Sequence, residues 1–217
     1  MAGGSGQRMG SEIPKQFLLL NGKPLLEHAV RAFTNAFDDV GIVLVFPKDH
    51  LAKGEKILMK MKINHSFHLV AGGETRFHSV KNGLAFVTEP SIVFVHDAVR
   101  CIVSEQLIKR CYEQALEKGS AIPAVAATDS IRLQNENGHY PIDRNSVRIV
   151  QTPQTFQSKI LLPAFEQDYQ PSFTDEATVA EAAGYNVFLT EGDYNNLKIT
   201  RPVDLMIAEK LMEQTTA

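Results

Sequence analysis

Three short apolar runs set the rhythm of the chain: Ile42-Val43-Leu44-Val45-Phe46, Ser91-Ile92-Val93-Phe94-Val95 and Ala121-Ile122-Pro123-Ala124-Val125. They are β-branched or aromatic and nearly continuous instead of alternating, as strands covered on both faces are. Helical periodicity fills the intervals: Leu25 to Phe33, Asp49 to Met61, Arg76 to Phe86 and Ser104 to Lys118. The last of these carries its own punctuation, with Ser104 placed as an N-cap and Gly119 as a stop. Such alternation predicts an α/β fold, Rossmann-like, with a mostly parallel central sheet and helices on both faces. Ligands in these sheets collect beyond the carboxyl ends of the strands, where Gly72-Gly73 and His96-Asp97 stand.

One stretch breaks the rhythm. From Thr128 to Arg148 the chain reads as a strand (Asp129 to Leu133), a turn (Asn135-Glu136-Asn137-Gly138) and a polar return to Val147. That pattern predicts a β-hairpin that leaves the globule. Thr152-Pro153 interrupts any continuing strand, and Ser158 and Thr174 are placed to cap two later helices. With no linker, repeat or low-complexity tract, residues 1–217 are expected to form a single domain with an arm at about 128–150.

Composition narrows the function classes. The chain has 217 residues, 44% of them apolar and 22% charged, enough for a sizeable core. A net charge of −3 argues against coating nucleic acid and leaves room for a local cationic pocket. The two cysteines, Cys101 and Cys111, do not have the spacing of a metal site or a disulfide framework, which points to a reducing cytoplasm. No run reaches the roughly 20 apolar residues of a membrane span.

The chemistry is concentrated near the start, in Gly3-Gly4-Ser5-Gly6-Gln7-Arg8-Met9-Gly10 followed by Pro14-Lys15-Gln16-Phe17. Glycines let backbone N–H groups crowd an anion, and two cations on one loop suit a triphosphate undergoing substitution. The loop is not a Walker A motif, since no Gly-Lys-Ser/Thr occurs. Nor is it the dinucleotide fingerprint, because Gly10 comes one residue late and Pro14 follows. An ordinary flexible turn stays open as the plain alternative. Only Met1 and Ala2 precede the loop, too few for the buried strand that should launch it. Native residues ahead of Met1 are therefore expected to lie outside this numbering.

The distributed pattern closely resembles the 2-C-methyl-D-erythritol 4-phosphate cytidylyltransferases. It comprises Ala2 to Gly10, Pro14 to Phe17, Gly72-Gly73-Glu74-Thr75-Arg76, Ser79-Val80, His96-Asp97-Ala98-Val99-Arg100, Gln151-Thr152-Pro153-Gln154, Thr174-Asp175-Glu176-Ala177 and Asn196-Leu197-Lys198-Ile199-Thr200. The resemblance implies in-line substitution at the α-phosphorus of CTP by a sugar-alcohol phosphate, with Mg²⁺ as cofactor and no direct metal ligand assigned. It implies Arg8 and Lys15 as catalytic cations, and Ala2, Gly3, Gly4, Gly6, Gly73, Arg76 and Ser79 around CTP. It further implies Asp97, Arg100, Ser130, Arg144, Thr152, Thr174 and Lys198 on the acceptor side. Arg144 lies on the arm, which in this family reaches a second subunit, so a homodimer with shared sites is implied. Two departures are Cys101, where the family usually has proline, and Ser130, where it often has threonine. His96 reads as a packed strand-end residue, because no second histidine stands at ligand spacing. Two alternatives stay open: a ribitol-5-phosphate cytidylyltransferase, and a non-catalytic nucleotide-binding module.

Overall fold

In a computed structural model that describes residues 1–2 and 14–215, the predicted strands and helices fall close to their expected places. In chain order they are β1 (Leu19–Leu20), β2 (Lys23–Pro24), α1 (Leu25–Ala36), β3 (Ile42–Phe46), α2 (Leu51–Met61), β4 (Phe67–Ala71), α3 (Arg76–Leu84), β5 (Ile92–Val95) and α4 (Glu105–Lys118). Then follow β6 (Ser120–Ala126), β7 (Ile131–Asn135), β8 (Gly138–Ile142), β9 (Arg148–Val150), β10 (Gln154–Gln157), α5 (Ser158–Ala164), α6 (Glu176–Ala182), β11 (Leu189–Glu191) and α7 (Pro202–Thr215).

Local signals explain the boundaries. The Ser104 hydroxyl accepts from Leu107 N at 3.3 Å, and Gly119, at φ +92°, closes α4 through its N–H to Ala115 O. Residues 48–50 form a 3-10 turn, so α2 starts slightly later than the periodicity predicts. Two expected caps move by one residue. Asp175, not Thr174, caps α6, in a reciprocal box with Thr178. Ser158 is the first residue of α5 rather than its cap, and its hydroxyl accepts from Ser91 N, tying α5 to the start of β5.

The strand pairing is mixed instead of mostly parallel: β3 and β4 pair in parallel as a sheet of their own, and in the larger sheet β11 and β6 pair in parallel while β10 runs antiparallel between β5 and β6. The reason lies in the arm: the chain leaves the end of β6, makes the hairpin and returns as β9, which pairs antiparallel with Ala124–Ala126 of the same strand. After Gln151–Pro153 it continues as β10 alongside the first half of β6. A direct return of this kind gives antiparallel pairing, whereas a parallel partner needs a crossover. The Rossmann-like character is thus kept by the β–α–β order of β3 through β6.

Helices α1 and α3 bring Leu26, Val30, Phe33, Phe77, Val80 and Leu84 into the interior. Phe77 stacks on Phe165 with ring centroids 4.9 Å apart and joins Phe173, so α3 is locked to the α5–α6 region. The expected hairpin is present as β7 and β8, paired with each other from Ile131 opposite Ile142 to Asn135 opposite Gly138. Gly138 has φ +122°, a conformation glycine adopts readily. Most side chains of the hairpin are exposed. At the N-terminal end, Met1 and Ala2 lie between the carboxyl ends of β3 and β5. Ala2 N donates to Val45 O, Met1 N to His96 O, and Ala98 N to Met1 O.

Candidate active site

The carboxyl end of β5 delivers a buried carboxylate, Asp97, and three cations converge on it. Lys198 Nζ stands 2.8 Å from one oxygen, Arg76 3.8 Å from the other, and Arg100 Nε 3.9 Å away. Burial alone would push the Asp97 carboxyl up. Lys198, Arg76 and the nearby Met1 ammonium outweigh it and hold the group well below the usual carboxylate range. It is therefore an anion at neutral pH, and it holds Lys198, Arg76 and Arg100 around one point.

A chain of hydrogen bonds shapes the loop that carries Asp97. His96 Nε2 faces the Arg100 carbonyl at 3.0 Å, and a carbonyl only accepts, so that nitrogen bears the hydrogen. Nδ1 then accepts from the Thr152 hydroxyl at 3.1 Å, and this hydroxyl accepts from Asp97 N at 3.0 Å. Burial drives the imidazole pKa down to about 4, which keeps the neutral tautomer this chain requires. The packed role expected for His96 is what the structure shows. Asn196, fully buried, extends the network: its side chain donates to Thr152 O at 2.8 Å, and its own carbonyl accepts from Arg100 at 2.7 Å.

Arg76 is held by a residue to which the sequence reading assigned no role. Glu176, in the first turn of α6 and 0% exposed, receives both guanidinium nitrogens in a forked pair, Nη2 to Oε2 at 2.9 Å. Burial raises the Glu176 carboxyl while Arg76 opposes the rise; the guanidinium, with Glu176, Asp97 and Asp175 around it, is held firmly charged despite its own burial. The α6 turn is itself fixed by Gln154, which donates to Asp175 at 2.8 Å and accepts from Ala177 N at 2.8 Å. The block Thr174-Asp175-Glu176-Ala177 drew attention to this place, but nothing in its composition marks Glu176 as a buried counter-ion.

The glycine corner before α3 behaves as its residue types suggest. Gly73 N donates to the Ser79 hydroxyl at 3.1 Å, and Thr75 caps the helix through His78 N. A Cβ on Gly73 would stand 2.4 Å from His78 Cβ and 3.1 Å from its backbone carbonyl carbon, so the turn requires glycine there, and one on Gly72 would press on the Ser79 hydroxyl at 2.9 Å.

Of the predicted site residues, Arg76, Asp97, Arg100, Thr152 and Lys198 form one cluster. Lys15 reaches the neighbouring segment, donating to Thr200 O at 2.9 Å, two residues beyond Lys198. Gly73 and Ser79 sit at the turn that leads into Arg76. Ala2 is buried, and its backbone is engaged internally, its N–H by Val45 O and its carbonyl by the Gln16 side chain at 2.8 Å. Thr174 is exposed, immediately before the Asp175 cap. Ser130 and Arg144 lie together at the base of the hairpin, with Arg144 donating to Thr128 O at 2.9 Å. Among the described residues, no hydrogen bond or ion pair joins them to the Asp97 cluster. Gly3, Gly4, Gly6 and Arg8 lie outside the described residues. Cys101 and Cys111 are buried free thiols, pushed up by burial to about 12. They are inert by that measure.

Cations gathered on a buried carboxylate at the carboxyl end of β5, beside a glycine corner in an α/β fold, are the setting of a nucleotide-handling transferase. Solved structures agree. The 4-diphosphocytidyl-2C-methyl-D-erythritol synthase of Anaerococcus prevotii superposes with a TM-score of 0.82 at 26% identity, covering 98% of this chain and 95% of the other. The 2-C-methyl-D-erythritol 4-phosphate cytidylyltransferase of Thermus thermophilus gives 0.78 at 30% identity, with 98% and 96% covered. The chain belongs to the family described as IspD: 2-C-methyl-D-erythritol 4-phosphate cytidylyltransferase, which it matches over residues 1–214. A protein of that name from Bacteroides fragilis is 44% identical over 216 residues, 98% of this chain and 97% of its own length. Its counterpart in Porphyromonas gingivalis is 44% identical over 213 residues, with 98% and 95% covered.

Proposed function

We propose that this chain transfers the cytidylyl group of CTP to the phosphate of 2-C-methyl-D-erythritol 4-phosphate, a step of non-mevalonate isoprenoid precursor biosynthesis. The observation that carries the reading is the convergence of Lys198, Arg76 and Arg100 on Asp97, with Lys15 tied to the adjoining Thr200. An acceptor phosphate oxygen forms a bond to the α-phosphorus, the bond from that phosphorus to the β-phosphate oxygen breaks, and pyrophosphate leaves with the electron pair. The nucleophile is already deprotonated at neutral pH, so fixed positive charge is the main requirement.

Lys15 and Arg8 are assigned to the charge that grows on the reacting phosphoryl group, a compact ammonium and a planar fork respectively. Arg76, aimed by Glu176, and the Gly73–Ser79 corner flank the nucleotide, and the backbone of Gly3, Gly4 and Gly6 completes that side, with Ala2 anchoring the segment through its bonds to Val45 and Gln16. Asp97, Arg100, Lys198 and Thr174 receive the acceptor, and Thr152 positions the Asp97 loop through its bonds to His96 and Asp97 N. Asp97 is the carboxylate of the cluster that would hold a magnesium ion together with the substrate phosphates, and the ion would there neutralise part of their negative charge. Among the described residues, no group of three His, Cys, Asp or Glu side chains is placed to hold a metal unaided.

Residues 1–217 act as one nucleotidyltransferase domain, and the arm at about 128–150 carries Ser130 and Arg144 to the site of a second copy in a homodimer. The exposure of Arg144 away from its own Asp97 cluster supports that arrangement. Buried free thiols suit a reducing cytoplasm, and no helix among the described residues is long and apolar enough to cross a membrane. The test is pyrophosphate release from CTP and MgCl₂ with 2-C-methyl-D-erythritol 4-phosphate, beside a reaction with ribitol 5-phosphate. Release with the first acceptor is expected. Release with ribitol 5-phosphate alone, or with neither, overturns the assignment.

A further inference from the structure

Lys15 is anchored at its base and at its tip by different parts of the chain. Its neighbours Gln16 and Phe17 are buried, and Phe17 stacks on Phe46 with ring centroids 5.9 Å apart, which fixes the backbone from which Lys15 projects. Its tip is held by a residue 185 positions away, where Nζ donates to Thr200 O at 2.9 Å. An ammonium has three donors, and binding one of them to a fixed carbonyl limits where the others point.

That carbonyl is itself held from behind. Thr200 O and Arg201 N belong to one peptide unit, and in a planar trans peptide the carbonyl and the N–H point in opposite directions. Arg201 N donates at 2.8 Å to Oδ2 of Asp204, in the first turn of α7, while the carbonyl faces Lys15. The same carboxylate oxygen accepts from Thr200 N at 2.7 Å and from the Thr200 hydroxyl at 2.9 Å. A second fixed point lies one residue back, where Ile199, 0% exposed, donates its N–H to Val99 O at 3.0 Å. Carboxylate, peptide and ammonium thus form one hydrogen-bonded chain. The peptide dipole lies between opposite charges, and bonds in such a chain polarise and strengthen one another.

We infer that Asp204 is a positioning residue for Lys15: through the Thr200–Arg201 peptide it aims the ammonium at the reacting phosphoryl group. The inference rests on the role given to Lys15 in the proposed reaction. An acidic side chain that takes N–H groups at the start of a helix is ordinarily a cap, and Asp204 caps α7 as well. A cap alone does not require that the carbonyl on the far side of the same peptide close on a cation from the other end of the chain.

The experiment compares pyrophosphate release at 25 °C by the full chain and by Asp204→Ala, Asp204→Asn and Met212→Ala, with Tm measured for each; both Asp204 variants are also made in a Lys15→Ala background. Asp204→Ala is expected to lower kcat by about tenfold, with KM for CTP and for the acceptor within about twofold. Asp204→Asn keeps an acceptor oxygen without the charge, and its kcat should fall between the two. Met212→Ala trims the same helix where it packs against the cluster of Leu20 and Leu25. It should lower Tm at least as much as Asp204→Ala, by about 2–4 °C, and leave kcat unchanged. Without Lys15, Asp204→Ala should cost nothing further, because its effect passes through the missing ammonium. If Asp204→Ala does not fold, the same cycle is read on Asp204→Asn. Unchanged kcat in the Asp204 variants, equal losses with and without Lys15, or an equal loss in Met212→Ala overturns the inference. Each of these is read from an active wild type and leaves the proposed reaction standing, whereas no release by the wild type removes both.

Discussion

The forked pair between Arg76 and Glu176 makes a sharp demand on stability and on nucleotide binding. In Glu176→Gln the side chain keeps its shape and one acceptor but loses its charge, and its amide turns a donor toward the guanidinium. Removing one partner of a buried pair costs about 3–5 kcal/mol, and a hydrogen bond to a charged group about 1.5–3 kcal/mol. Arg76 keeps one bond here, has Asp97 at 3.8 Å and is 31% exposed, so the loss belongs near the lower end, about 2–3 kcal/mol. For a chain of this size that is a fall in Tm of about 5–10 °C. Because Arg76 is assigned to the nucleotide side, KM for CTP should rise by about tenfold while kcat falls less. Replacing both partners, Arg76→Met with Glu176→Met, should recover stability without recovering CTP affinity. Circular dichroism melts and initial-rate kinetics on the three proteins decide it. If Glu176→Gln leaves both Tm and KM unchanged, the buried pair neither stabilises α6 nor aims Arg76, and the reasoning fails.

Other consequences are equally concrete. His96 titrates near 4 when folded and near 6.5 when unfolded, so the unfolded chain binds the extra proton between those values. Its contribution is complete above pH 6.5 and is lost as pH falls toward 4, about 2 kcal/mol by pH 5; urea titrations of the wild type and His96→Gln should show the slope in the first and a flatter profile in the second. Lys15→Ala and Arg8→Ala should each lower kcat by about 100-fold or more with little change in CTP affinity, measured by calorimetry. Loss of binding alone would remove both from the reacting centre. Arg144→Ala should raise KM for the acceptor by about tenfold. Mixed with Lys15→Ala, it should regain activity if sites are shared, and no regain in verified heterodimers would mean that each subunit is self-contained.

Much of this molecule was legible along the chain because the signals are local. Continuous apolar runs marked β3, β5 and β6, Ser104 and Gly119 bounded α4, and Asn137-Gly138 marked the hairpin turn, since a cap or a left-handed glycine depends only on its immediate neighbours. The cap of α6 was displaced by one residue because Thr174 and Asp175 are both capable acceptors, and the choice falls to Gln154, which holds Asp175 from another strand. Residue types and the family pattern likewise marked Asp97, Arg100 and Lys198 as chemistry.

What only the tertiary structure decided is which distant residues meet. The antiparallel entry of β10 between β5 and β6 is a matter of strand pairing across long separations, to which a run of apolar residues is blind. Glu176 and Arg76 are one hundred residues apart, and the burial that turns an ordinary helix-first-turn glutamate into a counter-ion comes from the core that α3, α5 and α6 share. The same holds for the depressed Asp97 carboxyl and the neutral His96. A side chain's type is written in the sequence, but its charge state and its partners are set by the dielectric and the neighbours that folding places around it.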